Sequence, residues 1–113
     1  MTRSITVDEL KAKLAGATKP VVLEALPAKY YDQGHLPGAL NFPHDDVDAL
    51  APALLPDKAA EIVVYCASDT CRNSRLAVGR LEELGYTNVY EFTAGKKGWI
   101  EAGLPVEGRK AAA

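Results

Sequence analysis

Apolar and polar positions follow two different periods along the chain, and each change of period marks an element. Thr6 with Glu9 forms a capping box, so "VDELKAKLA" predicts a helix from about Val7 to Ala15, stopped near Gly16. "PVVLEAL" (Pro20 to Leu26) is a short apolar run with β-branched residues and reads as a buried strand. "PAKYYDQ" reads as one helical turn, and "GHLPG" (Gly34 to Gly38) as a turn set by its glycines and proline. "ALNF" (Ala39 to Phe42) is a short strand closed by Pro43, and residues 45–51 predict a helix ending before Pro52. "EIVVYC" (Glu61 to Cys66) is the clearest strand. "NSRLAVGRLEELG" (Asn73 to Gly85) places Leu76, Val78, Leu81 and Leu84 at roughly helical spacing, with Gly85 suited to the position just past the helix end. "TNVYEF" (Thr87 to Phe92) is a further strand and "KKGWIEAG" (Lys96 to Gly103) a last short helix.

Strands alternating with helices predict an α/β domain with a central, mainly parallel sheet and helices on both faces. In such sheets ligands sit beyond the carboxyl ends of the strands, which gathers the loops after Leu26, Phe42, Tyr65 and Phe92 on one edge. A length of 113 residues suits one domain, set at 1–108, with 109–113 as a tail. A net charge of −2 gives no electrostatic footprint for nucleic acid. No apolar run approaches the ~20 residues of a membrane span, and "MTRSITVDEL" lacks the apolar stretch of a secretory signal. Two cysteines do not make a disulfide framework. The expectation is a cytoplasmic protein with reduced thiols and with neither nucleic-acid nor membrane partners.

Those two cysteines carry the chemistry. In "IVVYCASDTCRNSR", Cys66 ends a buried strand and Asn73 starts a helix. Backbone N–H groups of such a loop and of the first helical turn have no intrahelical partners, and with the helix dipole they form an anion-binding cup. A cysteine aimed into that cup is more easily deprotonated, and the thiolate is the nucleophile. Arg72 adds a charge that can fork onto an oxyanion. Cys71 is either a plain loop thiol or a resolving partner for oxidised Cys66. A metal site built from Cys66, Cys71, His35 and His44 fits no standard zinc spacing.

With "VVLEA", "YYDQGHLPGALNFP", "IVVYC" and "LEELGYTNVYEFTAGKKGWIEAGLPVEG", the chain resembles the rhodanese family from Ile5 to Glu107. "GHLPGA" before a small strand and proline is a specific signature, as is the ending with a glycine-lysine loop, a tryptophan and "AGLPV". The resemblance implies a parallel sheet of about five strands and a persulfide-carrying catalytic cysteine, here Cys66. Three departures stand out. Glu24 and Leu26 occupy positions where the family often has an aspartate and an arginine, and Tyr30 one where it usually has a glutamate, which implies that an apolar contact has replaced a charged pair. Sulfurtransferase members typically place four residues between cysteine and arginine, whereas "CASDTCR" places five. Five is also the spacing of cysteine-dependent phosphatases and arsenate reductases. Tyr65 and Asn73 stand where those enzymes usually carry a histidine and a hydroxyl, and only Asp69 offers an acid.

The resemblance thus implies a sulfurtransferase. Cys66 takes sulfane sulfur from a thiosulfate-like donor, and the loop from Ala67 through Ser68, Asp69, Thr70, Cys71 and Arg72 to Asn73 binds the substrate. A cyanide or thiol acceptor, or a protein acceptor, removes the sulfur, and no metal or organic cofactor is needed. The alternatives are oxyanion chemistry and a low-turnover binding or regulatory module. Lys96 and Lys97 are either a solvated pair or a positive rim for a dianion, Trp99 is core with Ile100 and Leu104, and His35 is scaffold. An inward-turned set of N–H groups leaves Cys71 directed away from Cys66, with no disulfide between them.

Overall fold

In a computed structural model describing residues 3–17 and 19–108, strands and helices alternate without exception. The order is β1 (Arg3–Ile5), α1 (Val7–Ala15), β2 (Val21–Glu24), α2 (Ala28–Gln33), β3 (Leu40–Asn41), α3 (Val47–Leu54), β4 (Ile62–Tyr65), α4 (Asn73–Glu83), β5 (Val89–Phe92) and α5 (Gly95–Glu101). The strands form one five-stranded sheet in the order β1-β5-β4-β2-β3, every pair parallel. The tail at 109–113 lies outside the described residues.

The capping box forms as its residues dictate: Glu9 N–H donates to Thr6 Oγ1 at 3.1 Å, and Thr6 N–H to Glu9 Oε1 at 2.9 Å. β4 lies at the centre of the sheet, and all four of its residues are buried, as an uninterrupted apolar run requires. The core divides into two layers. Leu23, Ile62, Val64 and Val89 pack with Val47 and Ala51 of α3 and Ala77, Val78 and Leu81 of α4. Ile5, Val22, Val63 and Phe92 pack with Leu10 of α1 and Trp99 of α5.

Four expectations need correction. β1 has no counterpart in the hydrophobic pattern, because only Ile5 of its three residues is buried and such a short edge strand shows no period. α3 continues through Pro52 to Leu54. Proline has no N–H for the carbonyl of Asp48, yet burial of Val47 and Ala51 and closure by Leu55 N–H on the Ala51 carbonyl at 2.8 Å carry the helix past it. On α4 the buried face is Ser74, Ala77, Val78 and Leu81, while Leu76 is exposed. Ile100 is exposed as well, although Trp99 is core.

Candidate active site

The chain leaves the centre of the sheet at Tyr65, and Cys66 follows at once, 1% exposed. The next five residues curl back to α4. Two contacts tighten that curl: Cys71 N–H donates to the Ser68 carbonyl at 3.2 Å, and the Ser68 and Thr70 hydroxyls meet at 3.0 Å. The start of α5 clamps it from outside. Lys96 N–H donates to the Cys66 carbonyl at 2.8 Å and Lys97 N–H to the Ala67 carbonyl at 2.9 Å. Gly95, at φ +69°, makes this approach possible, since a Cβ there would stand 2.7 Å from the Cys66 carbonyl oxygen.

Around the sulfur the arrangement differs from the expected ring of donors. Cys66 Sγ lies 3.3 Å from the Cys71 carbonyl, 3.9 Å from the Ser68 carbonyl and 3.4 Å from Ser74 Oγ. Burial pushes the Cys66 thiol up, and the Cys71 side chain pushes it further, while the Ser74 hydroxyl and N–H act in the opposite sense. The expectation of an easily deprotonated cysteine is therefore corrected: the resting group is the thiol. The physical reason is burial first, and the loop meanwhile turns two carbonyl oxygens toward the sulfur where donors were expected. Cys66 and Cys71 are both free, as expected. Cys71, half-buried, still acts on the Cys66 thiol through its side chain, so it is not simply turned away.

Of the predicted loop residues, Asp69, Thr70, Cys71 and Arg72 line one cavity of about 370 Å³ with Arg75, Glu91 and Thr93. Ala67, Ser68 and Asn73 are outside its lining. Their roles are local: Ala67 and Ser68 supply carbonyls to the clamp and the curl, and Asn73 begins α4. Among the described residues no cluster of histidine, cysteine or carboxylate side chains suits a metal ion. His35 stacks on Tyr31 with ring centroids 3.8 Å apart and bonds the Tyr31 carbonyl through Nδ1 at 2.9 Å, a scaffold role.

A thiol at the carboxyl end of the central strand, facing a helix N-terminus across a short curled loop, is the arrangement that the sequence resemblance implies. Residues 6–102 match the rhodanese-like domain family. The chain belongs to that family. It is 39% identical over 59 residues to thiosulfate sulfurtransferase PspE of Escherichia coli, covering 52% of this chain and 55% of that one. It is 31% identical over 91 residues to the HTH-type transcriptional regulator Rv0324 of Mycobacterium tuberculosis, covering 80% of this chain and 39% of that one. It thus spans about half or less of the length of these curated relatives. Among solved structures, the rhodanese-like domain of Anabaena Alr3790 superposes with a TM-score of 0.84 at 30% identity, covering 97% of this chain and 82% of that one. Thiosulfate sulfurtransferase from Pseudomonas aeruginosa does so with 0.84 at 25% identity, covering 94% of this chain and 20% of that one.

In this rhodanese-like domain a charged pair is present in a different form. Glu24 is fully buried at the end of β2, and its Oε1 accepts from the Tyr65 hydroxyl at 2.7 Å and stands 3.1 Å from Lys96 Nζ. Lys96 Nζ also donates to the Tyr30 carbonyl at 2.9 Å, and Leu36 N–H donates to the Tyr65 hydroxyl at 3.0 Å. An ion pair with a residue 72 positions away replaces the local one, so Lys96 is neither a solvated lysine nor a positive rim. Lys97 stays exposed.

Two residues linked to the sulfur, Ser74 in contact with it and Glu91 behind Ser74, were not among the predicted site residues. Ser74 Oγ donates to Glu91 Oε2 at 2.8 Å, with Ser74 2% and Glu91 4% exposed. Both carried a signal. Glu91 shares its side of β5 with Val89, which packs against α4, so a carboxylate there sits at an apolar position. Ser74 opens the buried face of α4 three residues before Ala77.

Proposed function

We infer that the domain is a sulfurtransferase whose Cys66 carries sulfane sulfur from a thiosulfate-like donor to a thiophilic acceptor. The observation that carries this reading is a buried thiol after the central strand, held against Ser74 at the start of α4, with the loop that follows it lining a cavity. Cys66 thiolate attacks the outer sulfur of the donor. The donor's S–S bond breaks, its pair leaves with sulfite, and the protein retains a persulfide. Arg72 and Arg75, exposed at the cavity, supply positive charge for an anionic donor. A thiol or cyanide then takes the terminal sulfur and returns Cys66 as thiolate. No cofactor enters these steps.

Phosphatase-type chemistry is less well served by the five-residue loop. A phosphoryl oxygen needs inward N–H donors, and here the Cys71 N–H is spent on Ser68 while the Cys71 carbonyl faces the sulfur. One observation favours a second reading, a low-turnover regulatory module: 80% of the chain matches a protein named as a transcriptional regulator.

Intact mass after incubation with thiosulfate tests the reading. Wild type should gain one sulfur atom, sensitive to cyanide, and Cys66→Ser should gain none. A sulfur retained by Cys66→Ser would move the nucleophile to Cys71. A wild-type protein that never gains sulfur would leave the regulatory reading in place.

A further inference from the structure

A buried thiol whose pKa is raised must lose its proton before it can attack, and the structure offers one buried route for it. Cys66 Sγ is 3.4 Å from Ser74 Oγ, and Ser74 Oγ is 2.8 Å from Glu91 Oε2. All three residues are at most 4% exposed. Because the Ser74 hydroxyl donates to Glu91, its lone pairs are open to the Cys66 S–H. The other groups near the sulfur are the carbonyls of Cys71 and Ser68, which can hold the S–H but cannot take its proton, and the Cys71 side chain, itself a thiol rather than a carboxylate. Glu91 is the carboxylate within this chain of contacts.

We propose that Glu91, acting through the Ser74 hydroxyl, is the proton acceptor that activates Cys66. In the step, the Cys66 S–H bond breaks and its proton passes to Ser74 Oγ, while the hydroxyl proton of Ser74 passes to Glu91 Oε2. The products are a Cys66 thiolate, a Ser74 hydroxyl that now donates to the sulfur, and a neutral Glu91. Charge moves from carboxylate to sulfur, and no net charge enters the buried site. The reverse transfer reprotonates Cys66 after the sulfur has left. Glu91 touches no substrate atom in this scheme and is a positioning residue for the proton.

Groups from α4, the sheet and the cysteine loop face Glu91. On α4, Arg75 Nε stands 3.8 Å from Glu91 Oε1. In the sheet, Ser4 of β1 and Val64 of β4 are its register partners, neither charged. Asp69, Cys71 and Arg72 of the loop, with Thr93, share its cavity. Arg75 is 71% exposed, a distant and solvated counter-charge that leaves Oε2 to Ser74.

The proposal rests on Cys66 as sulfur carrier, but its test is independent of sulfur transfer. Alkylation of Cys66 by iodoacetamide is followed from about pH 5 to about pH 9, with fragment mass spectrometry counting Cys71 separately. Without an internal base, the rate falls about tenfold per unit of pH below the thiol pKa, because only the thiolate reacts. Wild type should instead show a shoulder, a range below the thiol pKa in which the rate falls less steeply than this. Glu91→Gln and Ser74→Ala should lose it, reacting about tenfold or more slowly at pH ~6 and converging on wild type in alkali. Ser74→Thr, which keeps a hydroxyl, should keep the shoulder. Equal profiles in all variants would overturn the relay, as would faster alkylation of Glu91→Gln, which would mean that the carboxylate only repels the thiolate. If Glu91→Gln does not fold, the Ser74→Ala and Ser74→Thr pair decides the matter alone. A shoulder in a protein that never takes sulfur from thiosulfate would uphold the relay and refute the carrier reading.

Discussion

Gly95 shows how one residue sets the geometry of the cysteine loop. It combines a left-handed backbone, φ +69°, with contacts that leave no room for a side chain: an added Cβ would stand 2.7 Å from the Cys66 carbonyl oxygen and 2.9 Å from Ser68 N. Gly38 is the natural control, at φ +76° with nothing within 4 Å. Gly38→Ala should cost about 1 kcal/mol from backbone strain alone. Gly95→Ala adds overpacking against backbone that cannot yield, for a total of about 2–4 kcal/mol, and should depress Cys66 reactivity with it. Urea midpoints and alkylation rates measured on both variants check this, and equal losses would show that the clamp does not position the loop.

At the scale of the element, α3 is the test of how far burial overrides propensity. Pro52 is exposed on a helix whose other face buries Val47 and Ala51, so the proline contributes no packing to set against its missing hydrogen bond. A mid-helix proline costs about 3 kcal/mol, and its stiffening of the unfolded chain returns up to about 1. Pro52→Ala should therefore raise stability by about 1–2 kcal/mol in chemical denaturation, with the alkylation rate of Cys66 unchanged. A destabilised Pro52→Ala would mean that the ring itself packs. The bidentate pair of Arg80 with Asp48, at 2.6 and 2.7 Å, ties this helix to α4 and holds the Asp48 carboxyl below its ordinary range. That contribution is complete above the usual aspartate value and fades as the pH falls through the lowered one.

Across the whole molecule, two buried acids on opposite faces of the sheet resist ionisation. The Cys66 thiol and the Tyr65 phenol are both raised, chiefly by burial, Tyr65 additionally by the charge of Glu24. A group whose folded pKa is raised stabilises the fold below its unfolded value and loses that contribution as the pH climbs toward the folded one. For the thiol this begins near 9.0 and for the phenol near 10.0. The urea midpoint should therefore fall steadily above about pH 9, and more gently in Cys66→Ser. A midpoint that is flat through this range, or as steep in Cys66→Ser, would contradict the burial of the thiol as the cause.

Local chemistry alone accounts for α1, β4 and α4: a capping box, an unbroken apolar run and a helical apolar spacing ending at Gly85 each act over a few residues. The same locality marks Cys66 as the residue at a strand end before a helix, and with it the family. Nothing local could assign β1, which is held by pairing with β5 and by the burial of Ile5, or carry α3 through Pro52. Nor could it pair Glu24 with Lys96, or reveal that two carbonyls face Cys66 beside the Ser74 N–H. Those outcomes depend on which distant residues the sheet order brings together. Ser74 and Glu91 are 17 residues apart and become partners of Cys66 only because β5 lies beside β4 with α4 packed across both. Strand and helix periods are written in neighbouring side chains. The protonation of a buried thiol depends instead on contacts that the chain makes only once it has closed on itself.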